Sequence, residues 1–280
     1  MTKIKALTGL RVPGGKSKVV RKTLDPLFPK EFSDFYETFI GGGSVSLHIA
    51  QLYPTKRIVI NDLNNKLINF HKTVKTDSAN LVSRLHSTRD AYDPKDVEQG
   101  KQLLNLMQQQ LYLSSTSDLD LAIAYYTLNK ISFSGLTEHG SISKLAYEKT
   151  FNHGNIDRLT EISSHMKNFE IHNLHFKDAM MLPKEDDFTF LDPPYQIDSS
   201  NLYGKKGELH SGFDHTEFLD SVKELKGKWM ITYNDNPWIR ESYKDYKIVD
   251  AEYRYCMSFD TDEGGNKTTR MKNELIIMNY

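Results

Sequence analysis

Apolar positions change their period twice along this chain. Phe35-Tyr36-Glu37-Thr38-Phe39 reads as a short strand, followed by Gly41-Gly42-Gly43 and a helix through Val45, Leu47, Ile49 and Leu52. Arg57-Ile58-Val59-Ile60 predicts a second strand that ends in Asn61-Asp62. From about Leu63 to Lys167 the spacing becomes helical, as in Leu103, Leu104, Met107, Leu111 and again in Leu121, Ile123, Ala124, Leu128. Within that stretch Asn129 to Ser141 alternates polar residues with glycines and reads as a loop or small hairpin. Strand character returns over Phe169 to Phe176, Phe188 to Leu191 and Trp229 to Tyr233, with a helix through Phe218, Leu219, Val222 and Leu225. The tail predicts two antiparallel edge strands, one around Tyr253, Tyr255 and Met257 and one over Leu275 to Met278. The glycine-containing, charged stretch Thr261 to Asn273 reads as the loop between them. The expectation is an α/β fold with a mainly helical insertion: residues 1–72 and 168–280 in one domain, 73–167 in the other.

Composition narrows the classes. A chain of 280 residues that is 38% hydrophobic can bury a full core. The one cysteine, Cys256, excludes an internal disulfide and a cysteine-based zinc cluster, and suits a reducing cytoplasm. Met1 to Ala6 lacks the apolar core of a signal peptide, and no run reaches membrane-spanning length. The net charge of −1 announces no polyanion, but residues 1–30 hold eight Lys/Arg against Asp25 alone. That block is either a solvated face or part of a footprint for phosphates.

Three stretches carry candidate chemistry. Gly15-Lys16-Ser17 invites a P-loop reading, but the glycine which that motif needs five positions earlier is Leu10. What remains is a glycine turn at a helix start, able to receive an anion, with Lys16 beside it. Gly41 to Gly43 lets a ligand approach the backbone, and Asp62 follows 19 residues after Gly43, a spacing suited to an acid on ribose hydroxyls. Asp62 as a helix cap is the alternative. Together they indicate a nucleoside-containing cofactor without saying which, and a nicotinamide-dependent oxidoreductase stays open. Asp192-Pro193-Pro194-Tyr195 ends a buried strand, where two prolines forbid further ladder pairing. A carboxylate and a proline carbonyl there can accept both hydrogens of an adenine amino group, and a tyrosine face can hold the base flat.

In their order these segments resemble the Dam-type DNA adenine methyltransferases, phage-encoded members included, over most of residues 9–280. The resemblance implies a Rossmann-like doubly wound, mostly parallel sheet with an antiparallel C-terminal edge, and an inserted helical target-recognition domain with a β-hairpin. It implies S-adenosylmethionine as methyl donor and no metal. Cofactor contacts would come from Val12, Gly14 and Lys16 of the first segment and from Phe39, Gly41, Gly43 and Ser44 of the glycine loop. Asp62 would bind the ribose, and His175, Phe176 and Asp178 would wrap the adenine ring, with Asp192 at the join. Asp192, Pro193, Pro194 and Tyr195 would be catalytic. Asn129 to Leu136 resembles the lead-in to the recognition hairpin, so DNA contacts are expected from Lys130, Ser134, Thr137, Glu138, His139, Ser141 and Lys144, and from Lys205, Lys206 and Arg270. The partner would be double-stranded DNA in a bacterial or phage-infected cytoplasm, with a homodimer on DNA left open; an RNA adenine methyltransferase would use the same pocket. Two positions depart from the family. Val12 stands where an aromatic usually faces the cofactor, and no Arg or Lys lies between Ser132 and Ser143, where GATC-reading members place a guanine-gripping arginine. GATC specificity is therefore not carried over.

Overall fold

The computed structural model describes residues 4–138, 140–195, 212–261 and 267–280, with side chains described outside 252–272. Its centre is a sheet of β1 (Phe35–Glu37), β2 (Ile58–Asn61), β3 (Phe169–His172), β4 (Phe188–Leu191), β5 (Lys228–Asn234), β6 (Lys247–Thr261) and β7 (Lys267–Met278). The strand order is β3-β2-β1-β4-β5-β7-β6. β3, β2, β1, β4 and β5 run parallel, and β7 joins β5 antiparallel with β6 on its outer side. The order reverses between β1 and β4, the point at which open α/β sheets bind ligands beyond their carboxyl ends.

Alternation along each strand divides the core. Phe188, Phe190, Met230 and Ile276 face one cluster, whereas Leu191, Trp229, Ile231, Leu275 and Ile277 face the other. The first face is covered by α1 (Ser44–Leu52) and α2 (Asn65–Thr76), and its cluster continues without a break into α3 (Ser78–Asp90), α4 (Val97–Tyr112), α5 (Asp118–Ile131) and α7 (His153–His165). α5 is buried at every position from Ala122 to Ile131, as expected of a helix central to a bundle. The second face is covered by α8 (Phe176–Met180) and the helices His215–Glu224 and Pro237–Ser242. α6 (Lys144–Lys149) lies against α5. The expected domain limit at residue 72 falls inside α2. Among the described residues no helix is long and apolar enough to cross a membrane.

Four expectations need correction. The strand starting at Phe169 stops at His172 because the Asn61 side chain takes over the chain: it accepts from Leu174 N at 2.8 Å and donates to Leu174 O at 3.1 Å. Phe176 then opens α8. Within the stretch 261–273, residues 267–273 are strand, since β7 begins at Lys267 and pairs with β6, while 262–266 lie outside the described residues. The segment after Lys16 forms irregular helical turns over Lys16–Leu27 rather than one helix, interrupted at Asp25-Pro26. Among the described residues the expected hairpin shows one bridge, Ser132 with Ile142, because left-handed Ser134 (φ 56°) and Gly135 (φ 78°) turn the backbone out of a ladder there.

The helical layer is fastened to the sheet's ligand edge by Asn129, which is 2% exposed. Its Oδ1 accepts from Arg11 N at 2.8 Å, and its Nδ2 donates to Arg11 O at 2.8 Å and Gly135 O at 3.0 Å. A Cβ on Gly135 would sit 2.3 Å from Arg11 O, so the two segments touch backbone to backbone. Asn129→Ala strands three backbone groups; at ~1–3 kcal/mol for each group left unpaired, we expect a loss of at least about 2 kcal/mol. Urea unfolding measures it, and a loss below about 0.5 kcal/mol refutes the fastening role.

Candidate active site at the carboxyl edge of the sheet

β4 ends at Leu191 under the two prolines, which places Asp192 beside the end of β5. Thr232 of β5, fully buried, donates its hydroxyl to Asp192 Oδ1 at 2.7 Å. The same oxygen lies 2.9 Å from the ammonium of Lys16. Lys16 is 4% exposed, and it also donates to the Tyr195 hydroxyl at 2.8 Å and to Gly14 O at 3.0 Å. The left-handed turn at Gly14 (φ 74°) folds the chain back over its own lysine. Burial alone would pull the Lys16 ammonium down, but the carboxylates of Asp192 and Glu274 more than reverse this, and it stays above the usual lysine value. The Tyr195 ring lies 6.1 Å from that of Tyr233, whose hydroxyl is hydrogen-bonded to His215 Nδ1. A half-buried carboxylate, a tyrosine face and a buried cation thus meet where β4 ends.

The neighbouring half of the edge is built by β1 and β2. Gly41 (φ 45°) and Gly43 (φ 71°) need left-handed backbone, and Ser44 opens α1 directly behind them. Val12 lies over this loop: a Cβ on Gly42 would come within 3.3 Å of it and within 2.9 Å of Thr8 Oγ1. Asp62 accepts from Gly41 N at 3.3 Å and Asn64 N at 3.0 Å, while Asn64, not Asp62, caps α2. Burial pushes the Asp62 carboxyl up to about 6 despite those donors. His71 Nε2 donates to Gly41 O at 2.9 Å, and burial lowers its ring to about 4, so the ring is neutral. Glu37, 3% exposed, takes the backbone and hydroxyl donors of Ser46; burial pushes it up to about 8, which those donors oppose and Asp192 and Asp62 reinforce.

Beyond β3 the edge becomes aromatic. Phe39 has ring centroids 6.2 Å from Phe176, 5.8 Å from Phe213 and 5.8 Å from Phe218, and His175 lies 4.3 Å from Phe176. Asp178 is exposed in the first turn of α8.

The expected catalytic and cofactor residues therefore share one edge, but the expected DNA contacts do not share one surface. Lys130 is buried, with its amine 5.0 Å from the Tyr126 ring centre, and burial lowers it to about 7 beside Arg11 and Arg158. This arrangement presents no lysine to a phosphate. Thr137 is buried and donates to Gly135 O. Glu138 is held by Lys66 at 2.8 Å, Asn64 at 3.0 Å and the Tyr112 hydroxyl at 3.2 Å, so its carboxylate is engaged between α2 and α4. Ser134, Ser141 and Lys144 retain access to solvent. His139, Lys205 and Lys206 lie outside the described residues, and Arg270 lies on β7 where side chains are not described.

Pattern reading missed Glu37, Thr232, Phe213, Glu274 and Phe133. Glu37 and Glu274 had a signal, since the first is an acid inside an otherwise apolar strand and the second directly precedes the apolar run Leu275 to Met278. Phe133, 60% exposed in the turn after α5, became notable only once its burial was known.

A family described as D12 class N6 adenine-specific DNA methyltransferase matches residues 13–257. The chain is 25% identical to the type II methyltransferase M1.LlaDCHI of Lactococcus lactis subsp. cremoris, over 95% of this chain and 93% of the relative. It is 27% identical to the type II methyltransferase M.MjaIII of Methanocaldococcus jannaschii, over 97% and 98%. The DNA N-6-adenine-methyltransferase of Escherichia phage P1 matches 83% of this chain with 30% of its own length, at 26% identity.

Glu37 sets a pH dependence of stability. Its carboxyl is raised in the folded chain, so its contribution is fully present below about 4.5 and is lost as pH rises through about 8. Glu37→Gln, a permanent mimic of the protonated form, keeps that contribution. Thermal unfolding between pH 5 and 9 should show the variant gaining on the natural protein toward alkaline pH; parallel curves would refute the assignment.

Proposed function

Because the chain belongs to the D12 class of N6 adenine-specific DNA methyltransferases, we propose that it transfers a methyl group from S-adenosylmethionine to the N6 amino group of an adenine flipped out of double-stranded DNA. The observation that carries this reading is Asp192 held between Thr232 and Lys16, with Tyr195 beside it, at the switch point of the sheet.

The residues along the edge fit the cofactor. Gly41, Gly42 and Gly43 leave room for a ligand against bare backbone, Asp62 offers ribose hydroxyls a carboxylate, and Phe39, His175 and Phe176 offer rings to a purine. Bound there, S-adenosylmethionine supplies an electrophilic methyl group on a sulfonium. Val12 gives the glycine loop an aliphatic cover in place of an aromatic one.

The chain's own work concerns the adenine. An exocyclic amino group is a weak nucleophile because its lone pair is delocalised into the ring. Asp192 Oδ1 and the Pro193 carbonyl accept its two hydrogens, which draws the nitrogen toward tetrahedral geometry and frees the lone pair. The Tyr195 face fixes the base plane; such stacking returns roughly 1–3 kcal/mol against the few kcal/mol that unstacking takes. Lys16 holds the same Asp192 oxygen when no base is present, so it must yield as the amino group arrives. Positioning and electrostatics then carry the transfer.

On the DNA side, Phe133 presents an apolar ring to solvent from a turn whose root Arg11 grips at Ser132 O, 3.2 Å away, five residues before Lys16. An aromatic wedge there fits the task of unstacking a step beside the target. Ser134, Ser141 and Lys144 flank it as candidate base or phosphate contacts. The likeness to type II methyltransferases supports a role as the modification enzyme of a restriction system.

Asp192→Asn should lower turnover by more than about a hundredfold while S-adenosylmethionine still binds in calorimetry, and near-normal turnover would sink the proposal. Cofactor affinity should be full above pH ~6 and weaken as pH falls through it, because Asp62 must be ionised to accept from both hydroxyls. Asp62→Asn should lose that pH dependence; a natural protein with flat affinity between pH 5 and 8 would contradict it. Phe133→Ala should reduce methylation of duplex DNA about tenfold or more and spare a duplex whose target adenine is unpaired. Equal losses on both substrates would remove the wedge.

A further inference from the structure

Lys16 carries a charge into the interior that methyl transfer does not consume. An ammonium has three donors, and three acceptors take them: Asp192 Oδ1 at 2.9 Å, the Tyr195 hydroxyl at 2.8 Å and Gly14 O at 3.0 Å. The next acceptor is Glu274 Oε2 at 3.7 Å, too far for a hydrogen bond and close enough for an ion pair. Glu274 is 1% exposed. It stands opposite Asn234 in the β5–β7 register, two residues beyond the Thr232 that donates to Asp192. The antiparallel β7 thus delivers a second carboxylate to the place where the parallel strands end, at the position where the strand passes from the polar residues 267–273 into the apolar run Leu275 to Met278. Packing does not account for an acid there, since burying a carboxylate is strongly unfavourable without a cation beside it.

Resting on the reading of Asp192 as the acceptor for the adenine amino group, we propose that Glu274 is a positioning residue that receives Lys16 when the base takes Asp192. Thr232 and Lys16 both bind Asp192 Oδ1, and an amino group accepted at that oxygen takes the place Lys16 now holds. Displaced from it, the ammonium would keep one donor unpaired in a buried site, and that penalty would oppose the base at the moment of binding. A shift of about 1 Å brings the same donor onto Glu274 with good hydrogen-bond geometry. Lys16 then stays buried, close to Tyr195, and its net ion pairing is unchanged. A second carboxylate within ion-pair reach of Lys16 makes the exchange of partners nearly even in free energy, which a single carboxylate would not.

The test compares the affinity of the full chain, with S-adenosylmethionine present, for two duplexes: one carrying adenine at the methylated position, the other an abasic position there. Only the first requires Lys16 to move. Glu274→Gln keeps an acceptor oxygen and removes the charge; it should cut the preference for the adenine duplex about tenfold and leave the abasic duplex and the cofactor within about twofold. In a Lys16→Met background the same substitution should change the preference by less than about twofold. An unchanged preference in the natural background overturns the proposal, as does an equal loss in both backgrounds, which is what a purely structural role would give. Should Glu274→Gln alone fail to fold, the double variant Lys16→Met/Glu274→Gln decides: a preference equal to that of Lys16→Met supports the handover, and a lower preference or a failure to fold overturns it. Asp192→Asn separates the premise, because an active Asp192→Asn protein removes the adenine reading itself whatever Glu274 does.

Discussion

Everything at the ligand edge depends on one buried cation. Lys16 belongs to the N-terminal segment, Asp192 and Tyr195 to the exit of β4, and Glu274 to the antiparallel strand near the C-terminus. An ammonium that is 4% exposed is tolerable only if all its donors are met and its charge is balanced. That requirement forces three distant parts of the chain to one point, and it fixes the prolines of 193–194 and the left-handed Gly14 around it. A buried ion cluster of this kind is a poor source of stability and a good source of specificity, since few other arrangements satisfy it. Its retention at the switch point makes sense as function: the charge that organises the pocket in the absence of substrate is the one the substrate's amino group must displace.

The same edge is tied to the helical layer at two further places. Asn129 grips both backbone groups of Arg11, and Glu138 spans Asn64 and Lys66 immediately after Asp62. Asn64 in turn caps α2 and donates its backbone to Asp62. The segment that turns out of α5 is therefore anchored to both halves of the cofactor edge. A turn fastened at both ends can present the short stretch between them, Phe133 and Ser134, in a defined direction without a regular hairpin. The left-handed backbone at Ser134 is part of that aim and would relax if the anchors were absent.

Much of this was legible in the sequence. The glycine turn, the acid 19 residues on and the Asp-Pro-Pro-Tyr stop are local signals, because each imposes its backbone or chemistry within a few residues. The order of the strands and the gathering of Lys16, Asp62 and Asp192 at one edge agree with that reading. What failed to show was set by long-range partners. Phe169 to Phe176 has strand composition throughout, yet the Asn61 side chain ends the ladder by binding the backbone of Leu174. Residues 267–273 are polar and read as loop, yet β6 supplies a partner strand along their length. Lys130 is expected as a DNA contact from the resemblance of its segment, but α5 is buried at every position from Ala122 to Ile131.

Glu138 shows why charge pattern alone misplaces recognition. An acid in a base-reading loop suggests an acceptor for a cytosine amino group. Here its oxygens are occupied by Lys66, Asn64 and Tyr112, so reaching a base would mean breaking a half-buried ion pair and two hydrogen bonds. With no Arg or Lys between Ser132 and Ser143, the described part of this loop offers DNA neutral donors and an aromatic ring rather than a bidentate cation. Under the proposed reading, sequence choice by such a surface draws on hydroxyl contacts, on Lys144 at its far side and on how readily a given base step opens around Phe133. That is a readout of deformability as much as of base edges.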